Sequence, residues 1–169
     1  MRNGSSRFRV GASSLCIVVS ALAHAACQKP VDLKEAVQIT ELTGGWYDAG
    51  IVEGANKLVP SVTFKIRRTP SADVNPLQLN VVFKRIVGQT EEDWDEFYVQ
   101  RVDFAEKAET APLTVRPAAG YKGDSGQSRA EMLKNSQFRD VRALIFAKHS
   151  SANCVELARY DLPRQILTK

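Results

Sequence analysis

Two stretches in the middle of the chain alternate so strictly that they leave little room for anything except a β fold. In Val62-Thr63-Phe64-Lys65-Ile66-Arg67 the apolar residues fall on every second position. Leu77-Gln78-Leu79-Asn80-Val81-Val82-Phe83-Lys84 repeats the pattern, with Leu77, Leu79, Val81 and Phe83 on one side. A period of two places such residues on a single face of a strand, so both stretches are predicted strands with an apolar inner surface. Between them, Thr69 to Pro76 carries Pro70, Ser71, Asp73, Asn75 and Pro76, a turn-rich connection suited to joining neighbouring strands.

Five further strands are predicted at Val37–Leu42, Phe97–Val102, Leu113–Val115, Val141–Lys148 and Cys154–Tyr160, separated by Gly, Pro, Ser and Asp. One short helix is expected over about Ser128 to Asn135. Ser128 caps it and Glu131, three residues on, completes a capping box before Met132-Leu133. Seven short strands and a single helix point to an all-β fold, an immunoglobulin-like antiparallel β-sandwich occupying residues 37–169.

The run from Lys57 to Arg85 resembles the bacterial FxLYD-like domains, small exported β-sandwiches. It shares an alternating strand, a polar turn and a second alternating strand ending in Val81-Val82-Phe83. The Leu-Tyr-Asp-type ending is absent, because Lys84-Arg85 follows Phe83; Trp46-Tyr47-Asp48 occurs, but before the strand pair. The resemblance implies a fold and a compartment, and it carries over no catalytic residue.

The compartment is also written at the N-terminus. Arg2, Arg7 and Arg9 precede an apolar run from Val10 to Ala23, followed by Ala23-His24-Ala25. Charged start, short apolar centre and A-x-A site are the order of a secretory signal peptide, expected over residues 1–25. The run is too short for a spanning helix, which needs roughly 20 apolar residues. A short tether, residues 26–36, would then lead into the sandwich. Removing the signal takes three arginines from the 23 basic residues and none of the 19 acids. The mature chain is therefore nearly neutral and has no general electrostatic basis for holding nucleic acid. The expected location is the periplasm or cell envelope.

Cys27 and Cys154 remain in an oxidising compartment, and two fates compete for Cys27. It can pair with Cys154, closing a loop worth up to about 4–5 kcal/mol. Alternatively it is the first mature residue and carries lipid, since Ala25-Ala26-Cys27 resembles the end of a bacterial lipobox; His24 departs from that pattern. Such an anchor would be the only membrane contact expected.

Four groups of residues invite a chemical reading. Gly123-Asp124-Ser125-Gly126 looks like the nucleophile segment of chymotrypsin-like proteases, but the single mature histidine, His149, follows the serine instead of preceding it. The segment reads as turn chemistry. His149 and Cys154 flank Ser150-Ser151-Ala152-Asn153, which reads as a four-residue hairpin loop, so the two would face each other across strands. That spacing allows an imidazole–thiolate pair or half a soft-metal site, the basis of an alternative reading as a small enzyme or metal-handling protein. No third ligand is at hand. Glu91-Glu92-Asp93-Trp94-Asp95-Glu96 could hold a hard cation with carboxylate oxygens, but it lacks the glycine and spacing of an EF-hand loop and reads as a solvated hairpin tip, within which Trp94 either folds back as a lid or meets a ligand. Trp46-Tyr47 poses the same choice after Gly44-Gly45.

The expected product is a non-enzymatic binding or assembly module of the bacterial envelope, without a cofactor or metal. Its partner would be an envelope protein or polymer, and Trp46, Tyr47 and Trp94 are the candidate binding residues.

Overall fold

The computed structural model describes residues 31–104 and 107–167. The expected signal peptide, Cys27 and the first half of the expected tether lie outside these residues. The described chain forms an all-β sandwich of two sheets with two short helices.

The first sheet is built on a long hairpin, β1 (Val37–Val52) against β2 (Ala55–Arg68). The free side of β2 takes β5 (Leu113–Val115) near Phe64 and β6 (Tyr121–Lys122) near Leu58. On the other side of β1 runs the short parallel strand β9 (Ile166–Leu167). The second sheet has the order β4 (Thr90–Val99), β3 (Leu77–Val87), β7 (Val141–His149), β8 (Val155–Asp161). The two alternating stretches lie in β2 and β3, and their inner residues form the centre of the core. Val62, Phe64, Ile66, Leu77, Val81 and Phe83 are wholly buried.

The turn-rich segment from Thr69 to Pro76 does not join neighbours in one sheet, as its composition suggests. It carries the chain from β2 in one sheet to β3 in the other, so the two strands face each other across the core instead of pairing side by side. Val74 within it is fully buried, which anchors the crossing. The tether reading also shifts. Residues Leu33–Ala36 form a helical turn, α1, capped by the Asp32 carboxylate, and Leu33 and Ala36 belong to the core. Packed chain therefore begins before Val37.

Helix α2 (Arg129–Lys134) matches its signal residue by residue. The Ser128 hydroxyl accepts from the Glu131 amide, and the Glu131 carboxylate accepts from the Ser128 amide. Met132 and Leu133 turn inward to the core. β1 runs ten residues beyond its predicted end because Gly44-Gly45 is a close-approach site and not a turn. A Cβ at Gly45 would lie 2.9 Å from the Gln165 carbonyl, which instead accepts from the Trp46 amide at 2.8 Å.

Candidate functional site

The acidic run departs most from its sequence reading. It is not a hairpin tip but most of a strand. The tip is the two-residue turn Gly88-Gln89 between the paired residues Val87 and Thr90, with Gly88 at a φ of +63°. Aspartate and glutamate disfavour strands, but three of these acids face cations. Asp93 pairs with Lys84 at 2.6 Å, Glu92 with Arg85 at 3.3 Å, and Glu91 with Arg142 of β7. Asp93 holds the Lys84 ammonium above its ordinary pKa.

β4 is the outermost strand of its sheet and pairs with β3 alone among the described strands. None of its ten residues is buried. It also contains a bulge: Phe83 faces Asp95 and Lys84 faces Asp93, so Trp94 is the extra residue. A bulge re-aims a side chain, and here it turns the indole towards the core. Trp94 packs against Tyr121 with ring centroids 5.0 Å apart, and the Arg85 guanidinium stands 5.8 Å from the Trp94 centroid. Tyr121 stacks in turn on Phe138 at 4.4 Å, and Phe138 meets Trp46 edge-on at 4.5 Å. A continuous aromatic column thus runs from half-buried Trp94 to fully buried Trp46. The Tyr121 hydroxyl accepts from the Arg139 amide at 3.0 Å, and burial raises its pKa.

These contacts separate the three candidate binding residues. Trp46 has no exposed surface and closes the core, so it is a packing residue and no contact for a partner. Tyr47, one position along β1, points to the opposite face, where the Arg116 guanidinium lies 3.8 Å above its ring. Trp94 is a lid on the sandwich. The aromatic side chains left open are instead the next ones on β4, Phe97 at 40% and Tyr98 at 55% exposure. Sequence reasoning places Phe97 and Tyr98 in a strand and gives them no site role. The cue that points to them is a pair of adjacent aromatics directly after the acids.

The His149–Cys154 pairing does not form as read. A four-residue loop would set the two opposite each other, and the inner part of the β7–β8 ladder, Ile145 against Ala158, keeps that register. A bulge at Leu157 then slips the pairing by one, so Ala147 faces Val155. His149 pairs with Leu77 instead, and its Nε2 lies 3.3 Å from the Asn75 carbonyl. Cys154 is exposed, and its candidate partner Cys27 lies outside the described residues.

His149 does line a surface cleft of about 810 Å³ with Asp32, Glu35, Asp73 and Asn75. Its aspartates serve the backbone: Asp32 accepts from the Lys34 amide and Asp73 from the Asn75 amide. Among the described residues the hydrogen-bond partner of the imidazole is the Asn75 carbonyl, and no carboxylate is bonded to it in the base–acid arrangement of nucleophilic catalysis. Gly123-Asp124 lines a different, smaller cleft beside Tyr121, and the Asp124 carbonyl accepts from the Gln127 amide in a turn. Among the described residues, no group of three or more His, Cys, Asp or Glu is placed to hold a metal ion.

No family model matches this chain, and neither does any curated protein sequence.

Proposed function

We propose that this protein is a non-enzymatic, exported binding or assembly module of the bacterial cell envelope, and that it holds its partner along β4. The observation that carries this reading is the free edge of β4 with Phe97 and Tyr98 exposed beside it. Strand edges with unpaired backbone groups are templates for another chain, and proteins blunt them with charges and bulges; β4 carries both over Glu91–Asp95, which leaves its Phe97–Val99 end the more open part. Aromatic side chains beside such an edge supply the apolar anchor that a partner needs. The FxLYD-like resemblance of Lys57–Arg85 and the signal-like N-terminus support the same compartment.

The test is a photo-crosslinking residue at position 98, compared with one at Thr63 on the outer face of β2, in intact envelopes. Position 98 should capture a discrete partner that position 63 does not. Capture that is absent, or equal at both positions, overturns the reading. The His149→Ala/Cys154→Ser variant should give the same crosslink. If that variant stays folded and loses it, the β7–β8 hairpin is the site and the enzyme or metal-handling alternative takes precedence.

A further inference from the structure

We infer that the partner is an extended segment that joins β4 as an additional strand and carries two basic residues next to two apolar ones. This deepens the binding reading of β4 and rests on it. The outer side of β4 carries no strand among the described residues, so alternate residues offer main-chain donors and acceptors there, apart from the bulge at Trp94 and the Glu96 amide that donates to the Asp95 carboxylate at 2.8 Å. Specificity then comes from side chains on the two faces of β4, and these have a definite order.

Charge on β4 is compensated unevenly. Glu91, Glu92 and Asp93 have cations from β3 and β7 beside them. Asp95 and Glu96 have neutral donors: Asp95 accepts from the Ala119 amide at 2.7 Å, and Glu96 from the Asn80 amide group at 3.0 Å. Among the described residues, the negative charge without an ion-pair partner on β4 therefore sits directly before Phe97 and Tyr98. Pairing register puts Asp95 and Phe97 on the face shared with Phe83 and Val81, which looks to the core. Glu96 and Tyr98 lie on the outer face with Val82 and Asn80. On each face, then, an acid is followed by an aromatic residue. An antiparallel incoming strand matches this when two consecutive apolar residues are followed by two basic ones.

The same order argues against a second copy of this chain. Self-pairing centred on Trp94 and Asp95 would set Asp93 against Glu96, and like charges directly opposite each other destabilise a ladder. Every antiparallel self-register centred within residues 91–96 sets at least one pair of acids opposite each other, and the registers free of such contacts overlap by no more than the six residues Trp94–Val99.

The experiment uses the mature chain and a blocked eight-residue peptide, Thr-Ile-Val-Lys-Arg-Thr-Thr-Thr, in a calorimetric titration with amide shifts followed by NMR. Saturable binding is expected, with shifts concentrated in β4 and β3. Asp95→Asn/Glu96→Gln, which keeps both acceptors, should bind about tenfold more weakly through loss of charge complementarity. Of two versions of the peptide, one N-methylated at its odd and one at its even residues, only one should bind, because strand addition uses the amides of a single edge. Absence of saturable binding, equal binding by the two N-methylated peptides, or shifts centred away from β4 each overturns the inference. So does a concentration-dependent dimer whose β4 amides shift without peptide. If position 98 captures a partner in envelopes while the peptide fails to bind, the cationic-strand inference falls and the binding reading stands. Failure of both removes both.

Discussion

Phe64 and Phe83 provide the sharpest check on how the two sheets are faced. They come from β2 and β3, one from each sheet, and neither ring has any exposed surface. Truncating a buried Phe to Ala loses its transfer free energy and leaves a cavity, together about 3–5 kcal/mol. A domain of this kind has roughly 5–15 kcal/mol of stability, so each variant should remain folded but be visibly weakened. With a urea dependence of roughly 2 kcal/mol per M, a loss near 4 kcal/mol lowers the midpoint by about 2 M. Lys65 is the control. It is adjacent in sequence to Phe64 but points outward to Glu41 at 2.7 Å and Glu109 at 3.9 Å. Surface ion pairs are worth about 0–1 kcal/mol, so Lys65→Ala should shift the midpoint by no more than about 0.5 M. Urea melts followed by tryptophan fluorescence read all three, with buried Trp46 as the main reporter. Equal shifts for Phe64→Ala and Lys65→Ala would refute the facing of β2, because a one-residue slip exchanges the two sides of a strand.

Ser128→Ala removes the α2 cap and should cost about 1 kcal/mol, read as a melting temperature lower by about 3 °C; an unchanged value would mean that the cap is not formed. Acid should weaken the fold through Asp161, Glu109 and Glu131, whose pKa values are lowered by hydrogen bonds from Arg142, Thr40 and Ser128 respectively. Their folded pKa values lie below the ordinary 3.8 for Asp and 4.5 for Glu. The folded state thus binds fewer protons, and this stabilisation is present above those values and lost as pH falls through the folded ones. Urea midpoints should be level between about pH 7 and pH 5 and drop below about pH 4.5, and a rise there would contradict the assignment. Intact-mass analysis of the envelope fraction should show a chain lacking the first 25 or 26 residues. Retention of Met1 sinks the export reading, and an added diacylglycerol with an acyl chain on Cys27 identifies a lipid anchor.

Local signals in this sequence are legible where local chemistry decides the outcome. β3 begins at Leu77 as its alternation requires, and the Ser128–Glu131 box sets the start of α2, because both depend on neighbours within a few residues. Features that depend on distant partners are not legible in the same way. Gly44-Gly45 has the composition of a turn, and only the approach of Gln165 makes it strand. The acids of 91–96 suit a solvated tip until Lys84, Arg85 and Arg142 are placed beside them. The link between Trp94 and Trp46 runs through Tyr121 and Phe138, which belong to β6 and the segment after α2. The one-residue slips at Trp94 and Leu157 leave no mark in composition, yet they decide which side chains meet.

Those two slips share a location. Both lie on the outer strands of the second sheet, while β3 and β7 hold nine consecutive pairs in unbroken register from Leu77–His149 to Arg85–Val141. The central pair therefore acts as a fixed ruler and the margins as adjustable scales. A residue gained or lost in β4 or β8 can be absorbed where the ladder already steps, leaving Val81, Phe83 and Ile145 where they are. An insertion in β4 or β8 should therefore leave the fold standing, whereas an insertion between Leu77 and Arg85 would displace the core.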